Sequence, residues 1–239
     1  MAHNNSFKQG VIDGLPICFG YLSVAFAFGI FALSGGLNIL ETVLISMTNV
    51  TSAGQLAAVP IMLSGGSLLE LAAAQLVINL RYSLMSVSLS QKLDSSFRLP
   101  ARLLSAFVVT DEVFAVAISQ KGELNKRYFY GLILTPYLGW SVGTLLGAVA
   151  GNLLPPVVIS ALGIAIYGMF IAIVVPVVRE SKKTLLCVLI AIALSCAFYY
   201  IPALKMVPGG FVIIICAVAA STVGALLFPI AVEKEGESQ

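Results

Sequence analysis

The chain has 239 residues, of which 59% are hydrophobic and 10% charged, with a net charge of +2. An ordinary soluble domain carries about 25% charged residues, so this composition excludes a soluble globule, and so small a net charge gives no sign of a nucleic-acid partner. Apolar runs of about 18–25 residues, the span of a bilayer core, lie between charge clusters at 92–102, 121–127, 179–183 and 233–237.

A polar tail holding the only histidine, His3, precedes the first apolar segment, 12–33. That position leaves no histidine-based metal site or proton relay, and no metal or cofactor is expected. The segment is long enough to stay in the membrane, so no cleavable signal is expected. Segment two, 39–63, contains "NVTSAGQ", whose side-chain hydrogen bonds and glycine compete with a continuous helix. A break there would begin a half-helix at Gly54 and Gln55, with a partial positive charge suited to a carboxylate. The alternative is an unbroken helix with its threonines bonded back to the i−4 carbonyls. Segment three, 68–89, carries Arg81, and segment four, 103–119, carries "TDE". Segments 128–150, 157–178, 185–201 and 210–230 follow, the fifth with "GWSVGTLLG", which reads as helix packing. Glu41 and Glu70, near segment ends, read as solvated. Cys18, Cys187, Cys196 and Cys216 lack CxxC spacing and read as apolar packing residues.

The expected fold is all-α: a polytopic transmembrane helical bundle of six to eight membrane segments, one domain over 1–239. Lysine and arginine favour the cytoplasm, which puts both termini and the loops around Lys121 and Lys182 on the inner side of a bacterial inner membrane. The loop 91–101, with Lys92 and Arg98, would then lie outside if all eight segments cross. If segments two and four each enter and leave on one side, that conflict disappears, and re-entrant backbone is tolerated where it is buried in protein or lines a cavity. A faint internal repeat aligns Ile45, Ser46, Gly54 and Ala58 with Ile159, Ser160, Gly168 and Ala172. It divides the chain into halves of about 7–120 and 121–232, as in many secondary transporters.

Arg81 lies within roughly 4 Å of the centre of its segment at about 1.5 Å per residue, and a guanidinium cannot shed its proton to escape. Asp111 and Glu112 sit in the middle of theirs. Each such charge costs about 2.5–3.5 kcal/mol on insertion scales, so the three are expected to share one interior site. Neighbouring helical residues point about 100° apart, so one acid pairs with Arg81 while the other faces a cavity. Burial favours the neutral carboxyl and an opposite charge the ionised one. Asp111 or Glu112, whichever is unpaired, is therefore the candidate for proton coupling. Thr51, Ser52, Gln55, Asn79 and Thr110 lie at similar depth and, with Gly54, fit a wet substrate path. The other reading is a structural or channel-forming subunit whose buried charges only hold helices together. An enzyme is not expected, since there is no buried histidine, no HExxH and no GxSxG.

Four stretches, "GLPICFGYLSVAFAFG", "TSAGQLAAV", "NLRYSLMSVSLSQKL" and "TDEVFAVA", occur in an order and spacing that resemble the AzlC family of branched-chain amino acid exporters. The likeness spans roughly residues 7–156, and "NLRY" with "TDE" is its specific part. It implies export of branched-chain or related hydrophobic amino acids, in partnership with a small AzlD-type membrane subunit. A zwitterionic substrate needs a cation for its carboxylate, an acceptor for its ammonium and an apolar pocket. Arg81 or the half-helix end can supply the first, Asp111 or Glu112 the second, and Phe19, Leu56 or Phe114 the third.

Overall fold

The computed structural model describes residues 6–155, 157–158, 168, 171 and 174–229, and they are all-helical apart from turns and one isolated bridge. Five helices are long and apolar enough to cross a membrane: α1 (Phe7–Ser34), α4 (Leu68–Ser90), α7 (Lys126–Leu153), α8 (Lys182–Tyr200) and α9 (Gly209–Leu227). The all-α, multi-pass expectation holds. Segment 157–178 falls largely outside the described residues, and with it the repeat positions Ile159, Ser160 and Ala172.

The centre of the bundle is the parallel pair α1 and α7. Gly139, Gly143 and Gly147 recur at every fourth residue on α7 and face the backbone of Cys18, Leu22 and Phe26 on α1. A Cβ on Gly143 would stand 2.5 Å from the Leu22 carbonyl oxygen. Without a hydrophobic drive between helices in lipid, such close backbone approach is what holds them together. "GWSVGTLLG" is thus a packing stripe, although Trp140 within it also has a second task described below.

Segments two and four do not cross; each is a broken hairpin. Segment two is α2 (Ile39–Thr48) and α3 (Ser52–Leu63). α2 starts from a capping box, in which Asn38 accepts from the Glu41 N–H and the Glu41 carboxylate accepts from the Asn38 N–H. It runs antiparallel to α7, with Ser46 Oγ 2.6 Å from Thr144 Oγ1 and the Trp140 indole donating to the Ser46 carbonyl at 3.1 Å. The chain turns at residues 49–51, where Asn49 and Thr51 adopt extended or irregular backbone. α3 then returns until Leu63 packs against Gly35 at the end of α1.

Segment four is α5 (Leu99–Ala106) and α6 (Asp111–Ser119), entering from the opposite end. The loops before and after it are tied together: Asp94 N–H donates to the Leu124 carbonyl at 3.0 Å, Leu124 N–H to the Lys92 carbonyl at 2.8 Å, and Asn125 to the Asp94 carboxylate at 3.1 Å. The Lys92 ammonium donates to the Ile118 and Gln120 carbonyls, a cation on the negative end of α6. This end also holds the start of α1, where Tyr128 donates to Asp13 at 2.7 Å. Of the described lysines and arginines, only Arg81 and Lys205 lie away from it. The conflict posed by Lys92 and Arg98 is therefore removed by re-entry: their loop shares an end with Lys121.

Glu70 departs from expectation. It is buried, 4% exposed, and accepts the Gly210 N–H at 2.7 Å at the start of α9, which has no side-chain cap of its own. A carboxylate there answers an orphan helix donor and the positive helix end together. Glu70→Ala is expected to cost about 1–3 kcal/mol. A lowered unfolding temperature of the detergent-solubilised protein, with earlier proteolytic cutting in the 201–208 connection, would register it.

Candidate functional site

The two hairpin tips, 49–51 and 107–110, meet at mid-depth of the bundle. Their meeting point is marked by Tyr21, at the midpoint of α1, whose hydroxyl donates to the Glu112 carboxylate and lies 2.7 Å from Thr110 Oγ1. Between the tips lies a cavity of about 370 Å³, walled by Val50, Ser52 and Ala53 from the first hairpin and Thr110, Asp111 and Glu112 from the second. Ile78, Arg81 and Tyr82 of α4, Tyr21 of α1 and Trp140 of α7 close it. This volume is in the range that takes small ligands.

Arg81 forms an ion pair with Asp111, Nη1 to Oδ2 at 2.9 Å. Its Nη2 donates to the Tyr82 hydroxyl at 3.1 Å, the guanidinium lies 4.9 Å from the centre of that ring, and the Tyr82 hydroxyl donates to Thr51 Oγ1 at 3.2 Å. One side chain thus reaches both hairpin tips, directly to Asp111 and through Tyr82 to Thr51. The pair is not sealed, since the Arg81 and Asp111 side chains are 50% and 40% exposed. Glu112 is more exposed than its neighbour and accepts the Tyr21 hydroxyl instead of the guanidinium. The adjacent acids therefore face different partners.

The break in segment four also changes what the acids cost. They do not stand in mid-helix, as the sequence led us to expect, but in the first turn of α6 behind the cap Thr110, which accepts the Val113 N–H. Negative charge at a helix N-terminus is favourable by about 0.3–1 kcal/mol. The first turn of α3 is the converse case. It begins at Ser52, two residues before the expected Gly54, and carries neither an acid nor a side-chain cap. Thr51 stands in the cap position, but its hydroxyl is bonded to Tyr82.

The remaining candidates separate. Gly54 and Asn79 belong to an amide cluster behind the cavity wall: Gln75 Nε2 donates to the Gly54 carbonyl at 2.8 Å, and Asn79 and Asn49 donate to Gln75 Oε1 at 3.2 and 3.3 Å. This cluster holds α4 against the break in segment two. Gln55 is fully buried, its N–H is bonded to the Thr51 carbonyl, and it does not line the cavity. Phe19 is 69% exposed on the outer face of α1, because it points away from α7. Leu56 packs against Phe28 and Val59, and Phe114 against the core around Tyr128 and Phe129. None of these three lines the cavity; the apolar walls are Val50, Ile78 and Trp140.

Tyr21, Tyr82 and Gln75 are site residues that the sequence reading misses, whereas Trp140, which the sequence leaves open between an interfacial anchor and a cavity wall, is part of the wall. Tyr82 had a signal, being next to Arg81, and Tyr21 had another, a hydroxyl at the centre of an apolar segment. Trp140 stacks edge-on to Tyr21 with ring centres 5.2 Å apart, a contact that no spacing along the chain reveals.

A family model described as AzlC protein matches residues 16–154, which include every residue that lines the cavity. An uncharacterized membrane protein of Archaeoglobus fulgidus is 37% identical over 71% of this chain and 75% of its own length. The inner membrane protein YgaZ of Escherichia coli is 31% identical over 78% of each chain. An uncharacterized membrane protein of Helicobacter pylori is 24% identical over 62% of this chain and 65% of its own. No solved structure matches the chain.

Proposed function

The chain belongs to the AzlC family, and from that premise we propose that it is a secondary transporter exporting branched-chain or related hydrophobic amino acids. The observation that carries this reading is the convergence of one cation, two acids and an uncapped helix start on a single accessible cavity between two re-entrant tips. A zwitterion fits such a place at both ends. Its carboxylate is drawn to Arg81 and the first turn of α3, its ammonium to Asp111 and Glu112, and its side chain to Val50, Ile78 and Trp140. A carboxylate that reaches Arg81 competes with Asp111. Loosening that pair would uncouple the two hairpins, which is the event that alternating access requires.

Proton coupling falls to Glu112 in this scheme. Asp111 is held by Arg81, while Glu112 has a neutral hydroxyl partner and access to the cavity. The basic end of the bundle faces the cytoplasm by the positive-inside rule, so both ends of the described chain are cytoplasmic. The name of the Escherichia coli relative points to the inner membrane. A small AzlD-type membrane subunit is the proposed partner, and catalysis is not part of the reading.

Amino acid counterflow in vesicles, with and without that subunit, tests the proposal. Saturable exchange of leucine or valine is the expected result. Steady ion current without saturation by amino acids would point instead to a channel whose charges only hold helices together. Glu112→Gln is expected to keep counterflow within about two- to threefold of the parent while abolishing accumulation driven by a pH gradient, because exchange needs the binding site and only net transport needs the proton. Retained pH-driven accumulation would remove Glu112 from the coupling role.

A further inference from the structure

A second cavity of about 190 Å³ lies between α4, α5 and the start of α7, on the basic side of the central one. Its walls include the buried apolar residues Leu89, Val109 and Phe129. Two features set it apart from a gap that lipid would fill. Ser105, 4% exposed, lines it with a hydroxyl that has no hydrogen-bond partner among the described residues, and a buried polar atom left in that state is costly. Arg102, one turn into α5, lines it as well, its Nε donating to the Phe97 carbonyl at 3.2 Å and its guanidinium exposed.

The position matters as much as the chemistry. Val109 lines this cavity, and the next residue, Thr110, lines the central one. The tip of the second hairpin is therefore the partition between them. A molecule entering from the basic end meets Arg102, then an apolar chamber with one unsatisfied hydroxyl, then the tip.

Building on the transport reading above, we propose that this chamber is a cytoplasmic-side loading site. It takes a small apolar molecule with a carboxylate: the hydrophobic amino acid itself, before it passes the Val109–Thr110 tip. Arg102 draws the carboxylate, Ser105 bonds the polar end, and Leu89, Val109 and Phe129 contact the side chain. A fatty acid shares the carboxylate and the apolar body, and the test must separate the two.

Equilibrium binding of radiolabelled leucine to the purified full chain in nanodiscs does so. The expected result is two molecules bound per chain in the parent and one in Arg81→Ala, which retains only the loading site. Arg102→Gln and Ser105→Val are each expected to leave one, the central site, and Arg81→Ala/Arg102→Gln to leave none. The charge and the hydroxyl are removed independently, so one poorly folded variant does not decide the matter. A single site in the parent, lost in Arg81→Ala and untouched by Arg102→Gln and Ser105→Val, would overturn the loading site and leave the central site standing. A second site emptied by a long-chain fatty acid but not by valine would assign the chamber to lipid and overturn the amino acid assignment. No leucine bound by the parent would overturn the transport reading, and the loading site with it.

Discussion

Arg81→Ala and Asp111→Asn are each expected to abolish leucine and valine efflux, with protein abundance in the membrane unchanged. A charge-assisted hydrogen bond in a site of this kind contributes about 1.5–3 kcal/mol, which is on the order of 10- to 150-fold in binding at about 1.4 kcal/mol per tenfold. Arg81 offers more than one such bond, because the guanidinium spans Asp111 and Tyr82 at once. Lysine cannot reproduce that fork, so Arg81→Lys is expected to recover only a small part of the parent rate. Stability should suffer little by comparison: both side chains are substantially exposed to the cavity, and pairs of that kind contribute about 0–1 kcal/mol. Full efflux from both variants, measured in cells loaded with a leucine-containing peptide, would defeat the central-site mechanism while leaving the family assignment intact.

The second large effect is on assembly. Gly147→Ala is expected to destabilise the bundle by about 1–3 kcal/mol, as overpacking does, because the new methyl would fall against the Phe26 carbonyl. α1 and α7 would have to separate, and their contact positions Tyr21 against Trp140. Thermal unfolding of the solubilised protein, followed by tryptophan fluorescence from the single Trp140, measures this directly. Gly20→Ala is the control: it lies on the same helix pair with open space where its Cβ would be, and a stability unchanged within about 0.5 kcal/mol is expected. Equal losses from the two substitutions would mean that the α1–α7 contact is not what glycine is there to permit.

Much of this was legible along the chain. Composition dictated a membrane bundle, since so few charges cannot cover a soluble surface. The depth of Arg81, Asp111 and Glu112 dictated a shared site, since three charges scattered at the centre of a bilayer would each bear their own desolvation cost. "TNVTSAGQ" gave fair warning of a break, because threonine, asparagine and glycine weaken a helix locally and the effect needs no tertiary partner. Re-entry of segment four was legible from the basic loop around Lys92 and Arg98, but the position of its break was not: it falls just before the acids and makes them first-turn charges stabilised by the helix itself instead of mid-helix charges. Nothing in "AFVVTDEV" beyond its Thr-Asp pair announces that. Lys92, from outside the segment, holds the far end of α6 through the Ile118 and Gln120 carbonyls.

The solvent, the helix class and the charged residues that must find one another can all be read along the chain, because hydropathy and formal charge are properties of single residues and short windows. Packing in three dimensions settles where the two re-entrant segments break, which acid takes the guanidinium, and which residues wall the cavity. Phe19, Leu56 and Phe114 are the apolar residues the sequence offers for that wall, and Val50, Ile78 and Trp140 form it. The face a helix turns inward in lipid is set by close backbone packing, here the α1–α7 glycine stripe, and that packing belongs to the pair of helices, not to either sequence alone.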